Sequence, residues 1–138
     1  MAIFAICVAE ALSSGALHED LASKFAQVAR EADSAVIEFY DDRKIHLVKF
    51  SDAAWIARLA DVLQSSVYEP RDYCFCISYP TISLVRGNNV ILILSVHHAE
   101  KLRITDSSNA MSDFHVGQTT GKLITVLALE KMKANQQD

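Results

Sequence analysis

The run Val90-Ile91-Leu92-Ile93-Leu94 constrains the fold of this chain more than any other stretch. It is far shorter than the roughly 20 apolar residues that a bilayer span needs. It follows an Arg86-Gly87-Asn88-Asn89 turn and leads through Ser95-Val96 to His97-His98. Successive residues of a strand point to opposite faces, so an unbroken apolar run predicts a central strand with both faces covered. The remaining sequence must therefore supply neighbouring strands and the layers that cover them.

Neighbours are found on both sides. Tyr73 to Ser78, Thr81 to Val85 and Val90 to Val96 read as a three-strand meander, broken at Tyr79-Pro80 and at Gly87-Asn88. Upstream, Val36 to Phe50 alternates around the polar break Asp41-Asp42-Arg43. Pairing Phe39 with Ile45 and Ile37 with Leu47 puts these four apolar side chains on one face, which predicts a hairpin in that register.

Three helices supply the covering layer. Leu17, Leu21, Phe25, Val28 and Ala32 recur at spacings of three and four. Trp55, Ile56, Leu59, Val62 and Leu63 do the same after an N-cap at Ser51 or Asp52, in a helix that ends before Pro70, with Trp55 in the core. Leu123, Val126 and Leu127 form a third stripe after a cap at Thr119 or Thr120. Ile3 to Val8 is short and apolar and is read as a strand, while Asp106 to Gly117 is polar and reads as a long loop. These elements predict one α+β domain over residues 1–138: a mainly antiparallel sheet of hairpin plus meander, packed with about three helices.

Composition narrows function by exclusion. The 13 basic and 17 acidic residues leave a net charge of -4, which disfavours nucleic acid and anionic membrane as partners. Three cysteines, Cys7, Cys74 and Cys76, are an odd number in a chain that is 51% hydrophobic and able to fill its own core; this points to a reducing cytosol, not a disulfide scaffold. Ala2 to Leu12 lacks a basic leader region and is interrupted by Glu10, so it reads as part of the fold.

Cys74, Cys76, His97 and His98 are the residue types of a zinc site. In a sequential meander, however, Cys76 would lie about six residues, or roughly 20 Å, along the sheet from His97. Neighbouring His97 and His98 would also point to opposite faces, and alternate strand cysteines are poorly placed for a disulfide. No metal and no cofactor is therefore expected, and the cysteines read as small buried hydrophobes. A thiol nucleophile would need an activating base, and each histidine is distant in sequence from both cysteines. Gly117-Gln118-Thr119-Thr120-Gly121-Lys122-Leu123 falls short of a phosphate-binding loop, with three residues between its glycines and Leu123 after the lysine.

The expected function is binding without catalysis, with no catalytic residue assigned. The partner would be another protein, a basic toxin or enzyme masked by an immunity protein or inhibitor, met by acidic residues such as Asp41 and Asp42 at the hairpin tip. The alternative is a small enzyme or ligand-binding domain whose pocket gathers His97, His98, Arg103 and Asp106. A self-assembling subunit, down to a homodimer, is a third class.

Overall fold

A computed structural model of the chain describes residues 20–76 and 79–136. Residues 20–30 are helical (α1). The order continues β1 (Ser34–Asp41), β2 (Lys44–Phe50), α2 (Ala53–Gln64), β3 (Glu69–Arg71), β4 (Thr81–Arg86), β5 (Asn89–His97), β6 (Lys101–Asp106), β7 (Met111–His115) and α3 (Gln118–Gln136). The seven strands form one antiparallel sheet in the order β2-β1-β4-β5-β6-β7-β3. The expected α+β domain is thus observed, with β5 in the middle of the sheet. The strand expected over Ile3 to Val8 lies outside the described residues.

One face of the sheet carries the core. Ala35, Ile37, Phe39, Val48, Ile82, Leu84, Leu92, Leu94, Val96, Leu102, Ile104 and Phe114 alternate inward along their strands and join Phe25, Trp55, Leu59, Leu63 and Ile124 of the helices. Asp52 caps α2, its carboxylate accepting the Trp55 N–H at 3.0 Å. The indole N–H of fully buried Trp55 donates to the Leu127 carbonyl at 2.9 Å, which fixes α2 against α3. Phe25, Tyr68 and Phe114 meet edge to face at centroid distances of 5.2 to 5.9 Å, which seats α1.

The other face is more open than the Val90–Leu94 run predicts: Ile91 and Ile93 are only half-buried and Val90 is exposed, whereas Ser95 and His97 at the far end of β5 are buried. Further expectations are corrected. Phe39 faces His46 and Ile37 faces Val48, one residue out of the expected register. The reversal uses two residues, Asp42 and Arg43, both at positive φ, where the sequence reading allotted three. This slip turns Ile45 and Leu47 to the solvent on the open face.

The polar stretch after Asp106 is largely a strand, β7, and α3 starts at Gln118, before either predicted threonine cap. Thr120 Oγ1 lies 3.0 Å from Ser66 Oγ instead. Among described residues of Tyr73 to Ser78, none is in a strand.

Gly121 sets how closely α3 approaches the turn after β5. A Cβ at this position would lie 1.9 Å from the backbone oxygen of Ala99. Intrinsic helix propensity favours alanine by about 1 kcal/mol, yet the contact is with backbone, which cannot swing aside. Gly121→Ala is therefore expected to destabilise the protein by about 1 to 3 kcal/mol net, measured as a lower urea midpoint. An unchanged or higher midpoint would contradict this packing.

Candidate metal centre

Ser95, Arg103 and Asp113 stand opposite one another across β5, β6 and β7, on the open face. The Asp113 side chain is 0% exposed and that of Arg103 11%, so their ion pair is withdrawn from water. Arg103 Nε donates to Asp113 Oδ1 at 2.7 Å and Nη2 donates to Oδ2 at 2.9 Å, a two-pronged fit. A buried pair is tolerable only when its remaining donors and acceptors are satisfied.

The segment before Ile77 does this. The Cys74 N–H donates to Asp113 Oδ2 at 2.9 Å, Arg103 Nη2 also donates to the Cys74 carbonyl, and the guanidinium lies 4.3 Å from the centroid of the Tyr73 ring. Residues 73–76 are thereby pinned over the end of the sheet where β5 stops. Burial pushes the Asp113 carboxyl upward, but hydrogen bonds from Arg103 and Cys74 and the Arg103 charge outweigh it, leaving the group below the usual carboxylate range.

His97 and His98 complete the cluster from below. His97 is the last residue of β5, but His98 and Ala99 adopt left-handed backbone at φ 51° and 57°. The strict alternation of a strand therefore ends at His97, and both rings turn toward one place, with centroids 5.5 Å apart. His97 Nδ1 lies 3.4 Å from Cys76 Sγ; His98 Nε2 lies 3.1 Å from Cys76 Sγ and 3.5 Å from Cys74 Sγ. One donor atom from each of Cys74, Cys76, His97 and His98 lies within 4.8 Å of every other. Zinc bonds of about 2.3 Å to sulfur and 2.0 to 2.1 Å to nitrogen imply tetrahedral edges of roughly 3.3 to 3.8 Å; the sulfur–nitrogen separations of 3.1 to 3.5 Å are near these edges, whereas the two sulfurs would have to part from one another.

The environment of His97 suits a ligand. Its side chain is 2% exposed, and burial holds its pKa below the usual imidazole value against the opposing charge of Asp113. Nε2 is buried without a hydrogen bond among the described residues, 3.8 Å from Asp113 Oδ1. An imidazole that turned one nitrogen to a metal and the other toward a carboxylate would have its tautomer and orientation fixed. The two sulfurs are also joined as a disulfide, with Cα atoms 5.4 Å apart, inside the ordinary range for such a bond.

These positions overturn the expected separation of thiols from imidazoles. The expectation assumed that residues 73–78 pair with β4, whereas β4 pairs with β1 and β5, and residues 73–76 are held by Arg103 and Asp113 instead. The expectation that alternate strand cysteines are poorly placed for a disulfide rested on the same assumed strand, and Cys74 and Cys76, which are not on one, are bonded.

Of the other predicted site residues, Arg103 does sit beside His97, but its N–H groups go to Asp113 and Cys74. Asp106 lies opposite Leu92, away from the His97 end of β5, and accepts the N–H groups of Ser108 and Ala110 in a turn. Asp41 and Asp42 are exposed around the β1–β2 hairpin turn and do not enter the cluster. Asp113 falls within the Asp106 to Gly117 stretch expected to be a loop, so its part in pinning the cysteine segment is not visible from the sequence; its position beside Phe114, both buried in β7, was the available signal.

Comparison of the chain with protein-family models, with curated proteins and with solved structures finds no match. No helix among the described residues is long and apolar enough to cross a membrane.

Removing one member of the buried pair tests the anchor. Asp113→Ala strands the Arg103 charge and is expected to cost about 3 to 5 kcal/mol in urea unfolding. The double replacement Arg103→Met with Asp113→Leu is expected to recover much of that loss. Equal destabilisation by single and double variants would show that the pair is not the anchor.

Proposed function

We propose that this chain is a non-catalytic metal-binding domain in which Cys74, Cys76, His97 and His98 hold one zinc ion. The observation that carries the reading is the convergence of four donor atoms within 4.8 Å of one another. Two thiolates and two imidazoles are a donor set for zinc and a poor one for magnesium or calcium, which take oxygen. Four protein ligands leave no position for substrate, which favours a structural role over a hydrolytic one. The reducing cytosol inferred from the cysteine count is the compartment in which both thiolates would be free to bind.

What such an ion would hold in place is the cysteine segment. Phe75, between the two cysteines, is 93% exposed, and its ring meets that of half-exposed Tyr73 edge to face at 5.0 Å. Two aromatic side chains standing in water on a clamped segment have the character of a protein-recognition point. Protein binding thus joins the metal reading: the ion adds a second tie to a segment already held by Arg103 and Asp113, and the aromatics meet the partner. The narrower assignment, an immunity protein or inhibitor that masks a basic toxin or enzyme, draws on the acidic balance and on the exposed Asp41 and Asp42.

Purification of the full chain under reducing conditions, followed by elemental analysis and zinc titration, tests the centre. One zinc per chain is expected, with affinity lowered at least tenfold in His97→Ala and in Cys76→Ser. Absence of stoichiometric zinc from reduced, folded protein would end this reading.

A further inference from the structure

The two sulfur atoms are joined to one another in a disulfide, and the two imidazoles that would share a metal with them already stand 3.1 to 3.5 Å away. A sulfur engaged in a disulfide has no thiolate to offer a metal, so the disulfide and the metal-bound state exclude each other. We infer, resting on the zinc reading above, that the centre has a second activity: it reacts with a hydroperoxide, and that reaction ejects its metal.

The geometry makes the interchange local. Tetrahedral zinc would hold the sulfurs about 3.8 Å apart. The disulfide brings them together while His98 Nε2 stays 3.1 Å and 3.5 Å from them, and His97 Nδ1 3.4 Å from Cys76 Sγ. Only the sulfurs need to close up, in a segment whose backbone remains tied to Asp113 and Arg103. Both cysteines are half-buried, so a molecule as small as hydrogen peroxide can reach them.

The step balances as a two-electron oxidation. One metal-bound thiolate attacks a peroxide oxygen; the O–O bond breaks and hydroxide leaves, taking a proton from solvent to become water. The resulting sulfenic acid is attacked by the other thiolate. The S–S bond forms, the S–O bond breaks and a second hydroxide leaves as water after taking another proton. Two thiolates, one hydrogen peroxide and two protons give one disulfide and two waters. Both zinc–sulfur bonds are lost, and His97 and His98 alone do not retain the ion.

The pair sits so close in sequence that its disulfide closes a very short loop. It therefore constrains the unfolded chain little, and its value lies in chemistry more than in stability. A dithiol reductant, which is itself oxidised to a disulfide as it returns two electrons, restores both thiolates and zinc affinity.

The test uses the zinc-loaded full chain carrying Cys7→Ser, which removes the third thiol. Hydrogen peroxide is added in the presence of a colorimetric zinc chelator, and peptide mapping follows the cysteines. The expected result is release of one zinc per chain in step with a Cys74–Cys76 disulfide, with rebinding after dithiothreitol. Zinc that stays bound through full oxidation, or leaves while both thiols remain reduced, would overturn the inference while leaving the metal site intact. Failure of the reduced protein to load zinc at the outset would instead sink the metal reading on which it rests. Circular dichroism of the oxidised form is expected to retain the native sheet; global unfolding as the cause of release would also count against the inference.

Discussion

The buried pair of Arg103 and Asp113 is what lets a segment without regular structure cross an open sheet face at one defined place. An ion pair taken out of water is stabilising only if every remaining donor and acceptor finds a partner. Here the backbone of Cys74 supplies both an N–H to the carboxylate and a carbonyl to the guanidinium. The cost of burying two charges is thus offset by fixing the position of a loop. Everything distinctive about the sulfur and imidazole cluster follows from where that loop is held.

The helices have a different task. Gathered on the other face, they bury the inward residues of the central strands and leave the outward half short of cover. At the His97 end of β5 the cysteine segment provides that cover and makes Ser95 and His97 buried residues. At the β2 edge, Ile45, Leu47 and Tyr40 remain in water. The close approach of α3 to Ala99, allowed by Gly121, supports from beneath the turn that aims His98. Core packing and the candidate site meet at that turn.

Much of this was legible in the sequence because it depends on periodicity. The helical stripe ending at Leu63, the Asp52 cap, the Gly87 reversal and the central place of Val90 to Val96 all follow from local pattern. The errors arose where one residue in an unusual conformation changes a count. Left-handed Asp42 and Arg43 shorten a turn and shift a register; left-handed His98 and Ala99 end the alternation that would have parted the two imidazoles. The course of residues 73–76 was hidden for another reason: it is decided by a buried salt bridge between Arg103 and Asp113, 29 and 39 positions downstream of Cys74, and no local propensity encodes that contact. The residue types of the centre were visible; their convergence was not.

The proposed centre requires that two sulfurs and two ring nitrogens share one ion. X-ray absorption fine structure at the zinc edge of the reduced, loaded protein addresses it directly. Two sulfur scatterers near 2.3 Å and two nitrogen scatterers at about 2.0 to 2.1 Å are predicted. A shell made only of nitrogen and oxygen would contradict it.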